Sequence, residues 1–146
     1  MKKVEVILEI HTIPSRVIEA FTNDDMLRAW WDVERTLIEK RIGGSYTLAW
    51  NITDKGFGFV STGIIKNYIP DSVLEVDNFI YLNPGISILG PMKLTVHAKE
   101  KGNGTELYVC QDGYQTGRDW DWYYNAVQEA WPAVLNKLKE YLEKNT

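Results

Sequence analysis

The sequence predicts an α+β fold, in which one long C-terminal helix crosses a curved antiparallel sheet of about seven strands and encloses a cavity against it. Three observations carry this expectation. Apolar and polar residues alternate with the two-residue period of half-buried strands through most of the chain. Two short segments after the first strand switch to helical spacing. Near the C-terminus, ten apolar residues fall within about 60° of one line on a helical projection.

The first strand is expected over residues 4–12, where Val4, Val6, Leu8 and Ile10 alternate with charged or polar neighbours and only Ile7 breaks the pattern. Pro14 suits the first turn of a helix, where its missing N–H costs nothing, and Val17, Ile18 and Phe21 give that helix an apolar face. Thr22 and Asp25 stand at capping-box spacing ahead of a second short helix carrying Met26, Leu27, Trp30 and Trp31. Residues 35–39 then lead into a glycine turn at Gly43-Gly44.

Tyr46, Leu48, Trp50 and Ile52 mark the next strand, and Thr53-Asp54-Lys55-Gly56 turns it into a strand over residues 57–68. Gly63 inside that strand predicts a bulge or bend. Residues 73–77 form another strand, whereas Asn83-Pro84-Gly85 leaves residues 79–89 undetermined. Met92, Leu94, Val96 and Ala98 alternate into a turn at Lys101-Gly102-Asn103-Gly104, and Leu107 and Val109 face the same way on the returning strand.

Asp119 is the expected N-cap of the last helix. Its stripe comprises Trp120, Tyr123, Tyr124, Val127, Trp131, Val134, Leu135, Leu138, Tyr141 and Leu142. A helix of about 24 residues is about 36 Å long, enough to cross a small sheet. Pro132 cannot donate to the preceding turn and predicts a bend. Trp122 points away from the stripe, which implies a frayed first turn, a loop contact or a partner.

The 146 residues fit one domain, 1–146, whose core needs no cross-links. Net charge is −4 and no basic stripe is visible, which argues against nucleic acid. No apolar run approaches the ~18 residues of a membrane span. Cys110 is the sole cysteine, so no internal disulfide forms and a cytoplasmic location is expected, as monomer or homodimer.

Taken together and in order, several motifs resemble the activator of heat-shock protein 90 ATPase family. They are Ile13-Pro14 with Val17 and Phe21, Thr22-Asn23 with Leu27 and Trp30-Trp31, and Arg41-Ile42-Gly43-Gly44-Ser45-Tyr46. Gly63 with Pro70, Gly104-Thr105 with Leu107 and Val109, and Trp131 with Leu135, Leu138, Tyr141 and Leu142 continue the series. The resemblance implies the START/Bet v-like (SRPBCC) helix-grip superfamily, whose members hold lipids, hormones or polyketides between helix and sheet. Ala130, Pro132, Gln111 and His11 depart from the family pattern near the implied pocket.

No catalytic constellation is visible. His11, His97 and Cys110 lack metal-ligand spacing, and strand parity turns Cys110 and Asp112 away from the Leu107–Val109 face. Gly43-Gly44 leads into a strand, so it cradles no phosphate. No metal or cofactor is expected, and binding is favoured over catalysis. With aromatics at 12% of the chain, the expected cavity wall is Trp31, Trp50, Phe59, Phe79, Leu94, Val96, Leu107, Val109, Tyr124, Val127 and Trp131. Gln111, on the Leu107 face, is the expected polar contact for a small hydrophobic or aromatic molecule. The competing arrangement is a filled core built from the same residues. The alternative functions are a chaperone-associated interaction module and a cyclase- or hydrolase-like enzyme.

Overall fold

The computed structural model describes residues 2–144. Its elements run β1 (Lys3–Ile10), α1 (Pro14–Ala20), α2 (Asp24–Trp31), β2 (Arg35–Ile38), β3 (Ser45–Trp50), β4 (Phe59–Ile69), β5 (Val73–Leu82), β6 (Leu89–Lys101), β7 (Gly104–Asp112) and α3 (Arg118–Lys144). The seven strands form one antiparallel sheet in the order β1-β7-β6-β5-β4-β3-β2, so the two short helices sit in the crossover between its two edges. This is the α+β helix-grip arrangement expected from the sequence.

Local chemistry explains the joints. Ile13 carries no side-chain cap, but Pro14 opens α1 without wasting a backbone donor. The cap of α2 is Asn23, whose side chain accepts from the Met26 N–H at 3.0 Å. Thr22 instead donates to the Glu19 carbonyl, so the expected Thr22–Asp25 capping box does not form. The Tyr46 hydroxyl donates to the Phe21 carbonyl at 2.7 Å and the Trp30 indole to the Ala20 carbonyl at 2.9 Å, which tie the α1–α2 junction to the sheet.

Gly63 lies at a register shift between β4 and β5. A Cβ there would stand 2.6 Å from Val76 Cγ1 and 2.8 Å from the Asp77 carbonyl, so only glycine lets the strands close at this bulge. Strand β5 runs on to Leu82, beyond the expected end at residue 77, while β4 starts at Phe59 and leaves Phe57 exposed. Asn78, at φ 51, takes up a second irregularity between β5 and β6, which masks the strand period in the sequence.

Helix α3 has 27 residues and is therefore about 40 Å long. All ten stripe residues are buried or half-buried, and Pro132 sits on the exposed side of the helix. Asp119 lies inside the first turn rather than at the cap, where its carboxylate accepts from both the backbone and the hydroxyl of Ser87. It therefore fastens the β5–β6 loop to α3. At the far end, Lys139 donates to the Glu9 carbonyl and the His11 N–H donates to Glu143, clamping the helix to the end of β1.

Candidate functional site

The first half of α3 does not close onto the sheet. A cavity of about 630 Å³ lies between them, bounded on the third side by the end of α2. Its interior is lined by Trp30, Trp31, Trp50, Phe59, Ser61, Phe79, Tyr81, Gln111, Tyr123, Val127, Trp131 and Val134. Asp32, Glu34, Asn51, Trp122, Ala126, Ala130 and Lys137 complete the wall, all of them exposed or half-buried. A depression of similar size near the β4–β5 and β6–β7 turns is lined mainly by polar loop residues and has no aromatic wall.

The rings form a connected scaffold. Trp31 stacks on Trp30 and meets Trp50 and Trp131 with centroids 5.3 and 5.1 Å away. Trp50 stacks on Phe59 at 5.4 Å, Phe59 meets Tyr81, and Tyr81 stacks on Tyr123 at 4.5 Å. These rings hold one another in place, and their rigidity keeps the space open where flexible aliphatic side chains would fold in.

Several polar groups of these rings are already engaged. Trp50 donates to the Trp31 carbonyl at 3.0 Å and Trp131 to the Gln111 side-chain oxygen at 2.9 Å. The Gln111 amide donates to the Tyr123 hydroxyl at 2.9 Å and also reaches the Met92 sulfur. Gln111, 2% exposed, is thus a bracket between sheet and helix that fixes Trp131 and Tyr123. The sequence marks it as a polar contact for a ligand; in the structure its amide is committed to the protein.

Seven expected wall residues line the cavity: Trp31, Trp50, Phe59, Phe79, Gln111, Val127 and Trp131. Five do not. Leu94, Val96, Leu107 and Val109 share the inward face but are buried in the core and do not line the cavity. Tyr124 turns to the flank, against the Tyr114 ring, beneath the Lys2 ammonium and bonded to Gln128. Trp122, 51% exposed, borders the cavity.

Sequence reasoning missed Trp30, Ser61, Tyr81, Tyr123 and Val134 as lining. Trp30, Tyr123 and Val134 lie on the apolar faces of α2 and α3, whose periodicity alone does not separate cavity lining from core, and Tyr81 falls in the undetermined stretch 79–89. Asp32 and Asn51 adopt left-handed backbone at φ 57 and 53, where α2 and β3 end, and bring polar side chains to the cavity.

Burial pushes the Tyr123 phenol above its ordinary range, so it stays neutral at physiological pH. Cys110 is buried on the other face of β7 with its thiol also pushed up by burial, beside Asp112. His97 bonds to Glu75 at 2.8 Å away from the cavity. Among the described residues no three His, Cys, Asp or Glu side chains converge as metal ligands, and no helix is long and apolar enough to cross a membrane.

Residues 11–143 match the model of the family "Activator of Hsp90 ATPase homolog 1-like protein". The chain belongs to this family. Protein MLL2253 from Mesorhizobium loti has a similar structure, with a TM-score of 0.76 at 18% identity over 99% of each chain. The Aha1 dimer of Colwellia psychrerythraea gives 0.68 at 16% identity, covering 98% of this chain and 97% of that one. DynU16, from the dynemicin biosynthetic locus, gives 0.72 at 17% identity, with all of this chain matching 49% of that one. At such identities these likenesses establish the fold. No curated protein matches the chain.

Proposed function

We propose that the protein binds a small hydrophobic or aromatic molecule, without transforming it, in the cavity between α3 and the sheet. The observation that carries this reading is a space of about 630 Å³ whose walls are ring faces already immobilised by one another. That volume lies within the range of ~300–1,000 Å³ usual for small-molecule sites. Pre-formed aromatic walls also spare the ordering cost that a ligand would otherwise meet. The single cysteine fits a reducing, cytoplasmic setting.

Titration with the lipophilic dye Nile red tests it. The expected result is saturable fluorescence enhancement, with affinity lowered at least about tenfold by Trp131→Ala in protein that circular dichroism shows folded. Absence of saturation, or equal affinity in the variant, would overturn the reading.

Family membership and the half-exposed Trp122 favour a second role as a chaperone-associated module. Stimulation of a heat-shock protein 90 ATPase that Trp122→Ala abolishes would support that role. An unchanged ATPase rate and no complex on gel filtration would dismiss it.

A further inference from the structure

Among the described lining residues Ser61 carries the only aliphatic hydroxyl. It lies on β4 with Leu48 of β3 and Tyr81 of β5 as its cross-strand neighbours, and it is only 8% exposed. It lines the cavity, and among the described residues its hydroxyl has no hydrogen-bond partner. The other buried polar side chains of the wall each make a hydrogen bond: Trp30, Trp50 and Trp131 through their N–H groups, Gln111 through both ends of its amide, and Tyr123 as an acceptor. This leaves the Tyr123 O–H proton and the half-buried Trp31 N–H as further donors toward a ligand. The charges of Asp32, Glu34 and Lys137 lie on exposed or half-buried residues, so no charged side chain is buried in the wall.

We infer that Ser61 is the specificity-determining contact of the site, and that the ligand is a neutral, flat aromatic molecule with a hydroxyl or carbonyl group directed at Ser61 Oγ. This rests on the binding function proposed above. A serine hydroxyl both donates and accepts, so it pairs with a phenol or with a ketone equally well. An apolar hydrocarbon that covers it displaces water and leaves the hydroxyl unpaired, which is costly. A ligand carboxylate carried inward meets no buried cation and loses its hydration, which is costlier still. The flanking rings of Phe59 and Tyr81, 6.4 Å apart between centroids, offer faces and edges to a planar body.

Calorimetric titration with naphthol, naphthalene and naphthoate, on wild type and Ser61→Ala, tests the inference. Because Ser61 bonds to no other residue, the variant is expected to melt with the wild type. The wild type is expected to bind naphthol about three- to tenfold more tightly than naphthalene, and naphthoate most weakly. Ser61→Ala is expected to erase the naphthol preference while leaving naphthalene unchanged. The more hydrophobic naphthalene would win in the absence of a hydrogen bond, so the direction of preference is diagnostic. Preference for naphthalene in the wild type, a naphthol preference that survives Ser61→Ala, or naphthoate binding as tightly as naphthol would each overturn it. Nile red binding without that discrimination refutes the inference alone, whereas no binding of dye or naphthalenes refutes the function beneath it.

Discussion

The two halves of α3 face the same sheet and behave differently. From Leu135 onward, Leu135, Leu138 and Leu142 are fully buried and the helix is clamped to the end of β1 by Lys139 and Glu143. Before that point, Tyr123, Val127 and Trp131 stand over open space. In the closed half the leucines pack directly into the core, whereas in the open half interlocked rings brace one another around a space. The contrast divides one helix into a part that holds the fold and a part that frames a site.

Substitutions can break that division. The largest effect is expected from Leu138→Ala, which opens a void in the closed half: about 2–5 kcal/mol of stability by denaturant titration, with Nile red affinity unchanged in the folded protein. Gln111→Ala removes the bracket across the open half and strands the Trp131 N–H and the Tyr123 hydroxyl. About 1–3 kcal/mol of stability should be lost together with dye affinity, which couples fold and site at this one residue. Ala130→Phe sharpens the comparison from the other side. Ala130 is exposed on the cavity wall, so a ring there should block the space and weaken dye binding about tenfold while the stability change stays within about 0.5 kcal/mol.

The smallest effect is expected far from both halves. The Asn67 amide, and after it His97, holds the Glu75 carboxyl below its ordinary value of 4.5. A lowered folded value means that this carboxylate stabilises the protein fully above the ordinary value and ceases to as pH falls through the lowered one. Glu75→Gln should therefore cost about half a kcal/mol at neutral pH, a gap that closes as thermal melts are moved below pH 4.5, with no effect on dye binding.

What the sequence revealed follows the same division. Alternation from Tyr46 to Trp50 and from Met92 to Val109, and the stripe of α3, picked out residues that are buried or half-buried. The strand ends at Trp50, however, and the left-handed turn at Asn51 brings that expected outward residue to the cavity instead. Parity does not report how far along a strand the helix stays in contact, so Leu94, Val96, Leu107 and Val109 had the face of a cavity wall and the position of a core. Tyr81 and the extension of β5 were hidden because Asn83-Pro84-Gly85 interrupts the segment and the irregularity at Asn78 shifts its period. Ser61 was hidden for a related reason, since a small polar residue beside a bulge carries no outward sign that it faces inward. The partner of Gln111 was beyond sequence reasoning altogether, because only the approach of α3 to β7 brings Trp131 within 2.9 Å of its oxygen.

The six tryptophans give a direct reading of where a ligand goes. In a titration followed by nitrogen–proton NMR, naphthol should shift the indole signals of Trp31, Trp50 and Trp131 saturably and to a common midpoint, because these rings enclose the cavity. The Trp120 indole, packed against Tyr114 outside it, and the amides of Leu135, Leu138 and Leu142 should stay where they are. Saturable shifts centred on those leucines, or weak linear shifts spread over all the indoles, would contradict the claim that the open half of α3 is the binding site.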